Sequence, residues 1–190
     1  MDSGKGACGK LFYRKKSPPS HDFSRSLGSQ LGEAVVLSEN LQDRYAPNSV
    51  CFGCGPKNSA GLRLKSVPFG DSLVAEWTPR KEHVAFANFG SGGIISVLMD
   101  CHGNWAATYA LMKAKGLPSP PGTVTAEYTV RFLKPSPIDR KWLLTAWATK
   151  VEGDKAWVSG ELKVAGAVTA TMSGLFVAVK ESHPAFHRWE

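Results

Sequence analysis

The 190 residues include 23 Lys+Arg against 16 Asp+Glu, a formal charge of +7, with 43% hydrophobic and 21% charged side chains, which suits one domain with a sizeable core rather than a disordered chain. The basic residues are scattered, with only short clusters such as Arg14-Lys15-Lys16 and Arg80-Lys81, so no nucleic-acid partner is expected, and no apolar run is long enough for a membrane span. Four cysteines without a signal-peptide pattern fit a reducing compartment, and a cytoplasmic location is expected.

In chain order, Met1 to Ser29 is rich in Ser, Gly and Lys and lacks periodicity, which predicts a largely disordered arm. Arg14, Lys15, Lys16 and Arg25 among serines keep organelle targeting open as an alternative reading. A short amphipathic helix is expected from Gly32 to Tyr45, ended by Pro47-Asn48. Cys51-Phe52-Gly53-Cys54-Gly55-Pro56 reads as a turn: its Cys spacing is half a zinc site, but no second pair follows, so no metal and no cofactor are expected. Alternation predicts strands at Gly61–Val67 and Ser72–Thr78. Arg80 to Phe89, containing His83 and Asn88, reads as a loop feeding a site.

Gly90 to Leu111 is the centre of the chain. It opens on Gly90-Ser91-Gly92-Gly93, contains no proline and is apolar over most of its circumference, which predicts a helix buried on nearly every side. Gly93, Ser96, Asp100 and Asn104 follow steps of three, four and four, so the polar side chains form one stripe. A carboxylate on such a helix needs a pocket or a partner. Desolvation should raise the pKa of Asp100, with Ser96 and Asn104 placed to support its ionised form. His102 lies about 200° round the helix from Asp100 and reads as a core histidine, and Cys101 as packing.

After a Pro/Gly loop, four strands are expected in succession: Thr123–Leu133, Trp142–Glu152, Ala156–Val164 and Ala167–Lys180, an antiparallel meander. Glu181 to Glu190 reads as a tail. The fold class is α+β: a curved antiparallel sheet of about five or six strands wrapped around one long central helix. The expected division is an arm at 1–45, a domain at 46–180 and a tail at 181–190.

Three passages together resemble the hotdog-fold thioesterases of the phenylacetic-acid-degradation (PaaI-like) type. They are Cys51-Phe52-Gly53-Cys54-Gly55 with Gly61-Leu62, Ser91-Gly92-Gly93 with Leu98-Met99-Asp100, and Thr123-Val124-Thr125 through Arg131-Phe132-Leu133-Lys134-Pro135. The resemblance covers about Asn48 to Val179 and implies hydrolysis of an acyl-CoA or acyl-carrier-protein thioester, in a homodimer or a dimer of dimers. It implies that the Gly92 backbone N–H binds the thioester carbonyl, that Asp100 activates water or attacks directly, and that Thr125 helps hold the water. Ser91, where many members have histidine, joins Gly93, Ser96, Asn104, Asn88 and His83 as candidate substrate-binding residues. Gly92 and Asp100 are eight residues apart, about 12 Å along a helix axis, so a substrate that meets both needs two subunits. Arg80, Lys81, Arg131 and Lys134 are candidates for a CoA phosphate. The alternatives are a non-catalytic acyl-thioester binding module and a hotdog hydratase or dehydratase.

Overall fold

The structure, a computed structural model, describes residues 39–187. The expected arm at Met1–Ser29, the beginning of the Gly32–Tyr45 helix and the end of the tail lie outside the described residues. The described part of that helix is Leu41–Tyr45, capped by the Asn40 side chain, which accepts from the Asp43 amide at 2.9 Å.

Eight strands follow. They are β1 (Val67–Phe69), β2 (Ser72–Trp77), β3 (Val84–Phe86), β4 (Phe89–Gly90), β5 (Thr123–Phe132), β6 (Trp142–Glu152), β7 (Lys155–Val164) and β8 (Ala167–Ala178), with a central helix, Gly92–Lys115, between β4 and β5. Six of them form one antiparallel sheet in the order β1-β2-β6-β7-β8-β5, and the helix lies on one face of it. Strand β7 shows why: Ala156, Val158, Gly160, Leu162 and Val164 are buried while the residues between them reach solvent, the period of two that turns one face to a core. The α+β hotdog architecture expected from the sequence is the one observed.

The helix is buried along most of its length, with Leu98, Trp105, Ala107 and Leu111 essentially inaccessible. It begins two residues later than expected. Gly90 belongs to β4, its N–H donating to Ser136 O at 2.8 Å, and the Ser91 amide donates to His83 O at 2.8 Å. It also ends four residues later, because Met112, Lys113, Ala114 and Lys115 are good helix formers with cations at the favourable C-terminal end. Gly116 stops it in the left-handed conformation (φ 61°), which glycine adopts without a Cβ clash.

Two strand expectations are corrected. Residues 61–66 are not a strand: the Leu62 and Leu64 amides donate to Phe52 O (2.7 Å) and Gly53 O (3.0 Å) of the cysteine turn, and Arg63 has a φ of 55°, so the chain is tied to a loop rather than a ladder. The last four strands are not a simple meander either. Only β6-β7-β8 are; β5 pairs with β8 at the sheet edge, since the proline-rich connection Pro135–Pro137 carries the chain across the sheet rather than turning it back. Part of the Arg80–Phe89 loop is a small hairpin, β3–β4, whose turn places Ala87 and Asn88 at positive φ, the conformation of tight hairpin turns. Among the described residues no helix is long and apolar enough to cross a membrane.

A buried polar chain ties these parts together. Gln42 Nε2 donates to Ser66 Oγ at 3.0 Å, Ser66 Oγ meets His102 Nδ1 at 2.9 Å, and His102 Nε2 meets Leu73 O at 3.1 Å. Since a carbonyl only accepts, the His102 proton sits on Nε2. His102 is the core histidine its helical position predicts, and burial holds its pKa down at about 4. The unfolded imidazole protonates near 6.5 and the folded one only near 4, so below 6.5 the unfolded state binds more protons and stability falls with pH. At about 1.4 kcal/mol per pH unit this interval is worth about 3 kcal/mol. Urea melts between pH 7 and pH 4 should show that loss, and His102→Gln should flatten the slope.

Candidate active site

The carboxylate on the helix finds its partner on β5. Thr125 opposes Phe176 of β8 and Glu127 opposes Leu175, leaving Ala126 as one extra residue between them. Such a bulge switches the side-chain parity of a strand. As a result Thr125 before it and Tyr128 after it both turn to the helix. Thr125 Oγ1 donates to Asp100 Oδ1 at 2.7 Å, and Tyr128 OH donates to Ser96 O at 2.7 Å, one helical turn away. Beside Asp100 and Thr125 is a cavity of about 60 Å³ walled also by Asn104 and three cysteines, room for a water molecule or two.

The other stripe residues are engaged in different ways. Asn104 is buried and pairs with Thr123, whose hydroxyl donates to Asn104 Oδ1 at 2.9 Å, so it walls the cavity while its side chain is held by the strand. Ser96 offers its backbone carbonyl to Tyr128. Gly93 is exposed at the first turn. Tyr128 carries a signal that sequence reading missed: burial pushes its pKa up to about 12, the Ser96 bond opposes this, and the Asp100 charge adds to it. It therefore stands next to the carboxylate as a neutral phenol.

Gly92 lies at the far end, as the first helical residue. Its amide and that of Gly93 have no carbonyl to bond within the helix, and Ser91 makes no side-chain cap there. Gly92 lines a cavity of about 350 Å³ together with Phe86, Phe89, Phe132, Leu133 and Lys134, an apolar space of a size that takes small ligands. A Cβ on Gly92 would come within 3.3 Å of the Phe132 ring. Gly92 and Asp100 line separate cavities of one chain.

His83 directly precedes the small hairpin, and Asn88 is in its turn. His83 is buried against Trp77, with ring centroids 4.9 Å apart, and its Nδ1 accepts the Arg80 N–H at 2.9 Å. Burial first, and then the Arg80 charge, lower its pKa. Asn88 is exposed and its carbonyl accepts from the Ile138 amide at 3.0 Å. It borders a separate open groove of about 1350 Å³ that also includes Arg80, Lys81 and Arg140.

The cysteines gather where their spacing gave no sign of it. Cys101, read as ordinary packing, lies 3.7 Å from Cys51, sulfur to sulfur, and both are close to Cys54. Their mutual hydrogen bond lowers the pKa of Cys51 and raises that of Cys101. Gly53 makes the approach fit: a Cβ there would run into the Cys101 sulfur and come within 2.9 Å of Val97 Cγ1.

Solved structures share this fold. A thioesterase superfamily protein from Shewanella loihica PV-4 aligns with a TM-score of 0.53 and 29% identity, over 62% of this chain and 91% of that one. The Escherichia coli PaaI protein of the phenylacetic acid degradation operon aligns with a TM-score of 0.52 and 16% identity, over 63% and 81%. A Streptococcus mutans UA159 protein solved bound to acetyl CoA gives 0.52 and 13%, over 61% and 88%. Neither the protein-family models nor the curated proteins compared with the sequence gave a match. These structures bear out the hotdog fold, and the 29% identical one bears out the resemblance to the thioesterase superfamily.

The tight seat of Gly53 makes a stability test. Gly53→Ala should lower unfolding free energy by about 1–3 kcal/mol, the usual cost of overpacking, read by denaturant melts against the parent chain.

Proposed function

We propose that this hotdog-fold chain hydrolyses an acyl-CoA or acyl-carrier-protein thioester to the free acid and thiol. The observation that carries the proposal is the 2.7 Å hydrogen bond from Thr125 to Asp100 beside a cavity of water size. The Thr125 hydroxyl fixes the carboxylate beside that cavity, where a water would have a proton acceptor in Asp100, and the threonine oxygen is a further handle for the same water. In the water route Asp100 takes a proton as the oxygen attacks the thioester carbon. The carbonyl oxygen becomes an oxyanion, and collapse breaks the C–S bond to release thiolate, which is then protonated. In the direct route Asp100 attacks the thioester carbon, the C–S bond breaks to release thiolate, and water then cleaves the mixed anhydride to the free acid and the Asp100 carboxylate. Both routes need a donor for the oxyanion, and the Gly92 amide at a helix N-terminus is suited to that task.

About 12 Å of helix separates Gly92 from Asp100, so the proposed active unit is a homodimer or dimer of dimers in which one chain supplies the amide and the other the carboxylate. Strand β5 favours this reading: it ends the sheet, and an edge strand can take a second copy alongside. The apolar cavity at Gly92 suits an acyl or pantetheine chain, with Lys134 on its wall for a phosphate. The neighbour solved with acetyl CoA fits the same substrate class. Ser91, at the position where many hotdog thioesterases have histidine, favours the second reading, a non-catalytic acyl-thioester binding module. A hydratase has less support, because His102 is sealed in the core away from the carboxylate.

Free-thiol release from short, aromatic and long acyl-CoAs tests the proposal. Hydrolysis of at least one class is expected, with Asp100→Asn slower by about 10²- to 10⁴-fold and an unchanged circular dichroism spectrum. A silent panel with measurable acyl-CoA binding supports the binding module instead. Thr125→Val removes one hydrogen bond to a charged group, and a loss of about 10- to 100-fold in kcat/KM is expected; Thr125→Ser should retain most of the rate.

A further inference from the structure

Cys51, Cys54 and Cys101 have no task in the proposed hydrolysis. Their three sulfurs lie within 4.8 Å of one another, with Cys51 Sγ and Cys101 Sγ 3.7 Å apart. Two sulfurs bound at about 2.3 Å to one tetrahedral cation are about 3.8 Å apart, whereas a disulfide requires about 2.05 Å. The pair is therefore spaced as two corners of a coordination tetrahedron.

Buried thiols packed as small apolar groups would crowd their sulfurs in the same way, so the surroundings decide between the two. Trp105 Nε1–H donates to Cys54 Sγ at 3.4 Å, and the Cys51 and Cys101 sulfurs share a hydrogen bond. A neutral thiol is a weak acceptor and gains little from such donors, while a thiolate ligand is oriented and stabilised by them. The turn holds this geometry: the Gly55 amide closes on Cys51 O at 2.8 Å, and a side chain on Gly55 would strike the backbone of Ser49 and Cys51. No Lys, Arg or His lines the adjoining cavity among the described residues, so the donors prepare for negative charge that no basic side chain there balances. A cation would balance it.

We propose that Cys51, Cys54 and Cys101 form a three-thiolate site for one thiophilic d10 cation, zinc being the reference case, with its fourth position opening on the small cavity beside Asp100. On loading, three S–H groups give up their protons and three sulfur–metal bonds form. Cys54 and Cys101 are 3% and 7% exposed, and half-buried Cys51 leaves a way in for the ion. The site stands whether or not the chain hydrolyses thioesters.

The test uses the full chain, reduced, stripped with a chelator and titrated anaerobically with Co²⁺ and then Zn²⁺. One equivalent of Co²⁺ per chain is expected, with a sulfur-to-cobalt charge-transfer band that Zn²⁺ abolishes. Cys8→Ser, which alters the remaining cysteine of the sequence, should leave the stoichiometry and spectrum intact. Cys51→Ser and Cys101→Ser should each weaken binding by more than the roughly 10- to 100-fold that loss of an outer-shell partner brings. Absence of the band from the wild type in excess Co²⁺ overturns the proposal without relying on any variant to fold. A band undiminished in Cys101→Ser overturns it as well.

Discussion

A helix that is apolar round most of its circumference must be covered on nearly every side, and a single sheet can do this only by curving around it. The rest of the structure depends on that enclosure. The strands β2, β6, β7 and β8 cover the helix with buried side chains, and the cysteine turn closes it from another side through Cys54 and Trp105. Asp100 lies opposite the edge strand β5 and is half-buried, while Met99, Cys101 and His102 around it are buried. A carboxylate in that position keeps a hydrogen-bond partner and access to water, which burial under a central strand would deny it.

The same helix that places Asp100 also keeps it from Gly92. A rigid rod separates the proposed oxyanion donor at its N-terminus from the carboxylate two turns along, so enclosure of the core and assembly of the proposed thioester site make opposite demands on one chain. In the proposed dimer, two copies joined along the β5 edge would remove the conflict. Exposed Phe132 and Leu133 at the end of β5 stand beside the Gly92 cavity, which gives that edge an apolar surface to cover.

Long elements with strong periodicity are legible in the sequence. Trp142–Glu152 has the bounds expected of it, and the central helix agrees to within a few residues, because each buries a face whose spacing is written in the residues. What is illegible depends on contacts distant in sequence. The 61–66 segment alternates like a strand, yet its amides bond to the cysteine turn. The Ala87-Asn88 turn lacks the glycine that usually signals a hairpin. The bulge at Ala126 leaves no local mark, although it alone brings Thr125 and Tyr128 onto the same face. Asp100 is legible in the sequence as a candidate, because a charge on an apolar helix needs a reason. The thiol cluster is not, since Cys101 reaches the turn from 50 residues away and nothing in the spacing pairs them.

The claim that a complete site takes its amide from one chain and its carboxylate from another can be tested by mixing subunits. Gly92→Pro removes the donor N–H at the first helical position, where proline is tolerated, and Ser91 already has the extended conformation that proline requires of its neighbour (φ −64°, ψ 134°). Co-expressed with Asp100→Asn chains, each variant inactive alone, it should restore thiol release to roughly a quarter of the wild-type rate, since half of randomly paired dimers hold one intact site of two. No restoration, with both variants folded and the mixed dimers isolated, would place the amide and the carboxylate in the same chain and contradict the shared site.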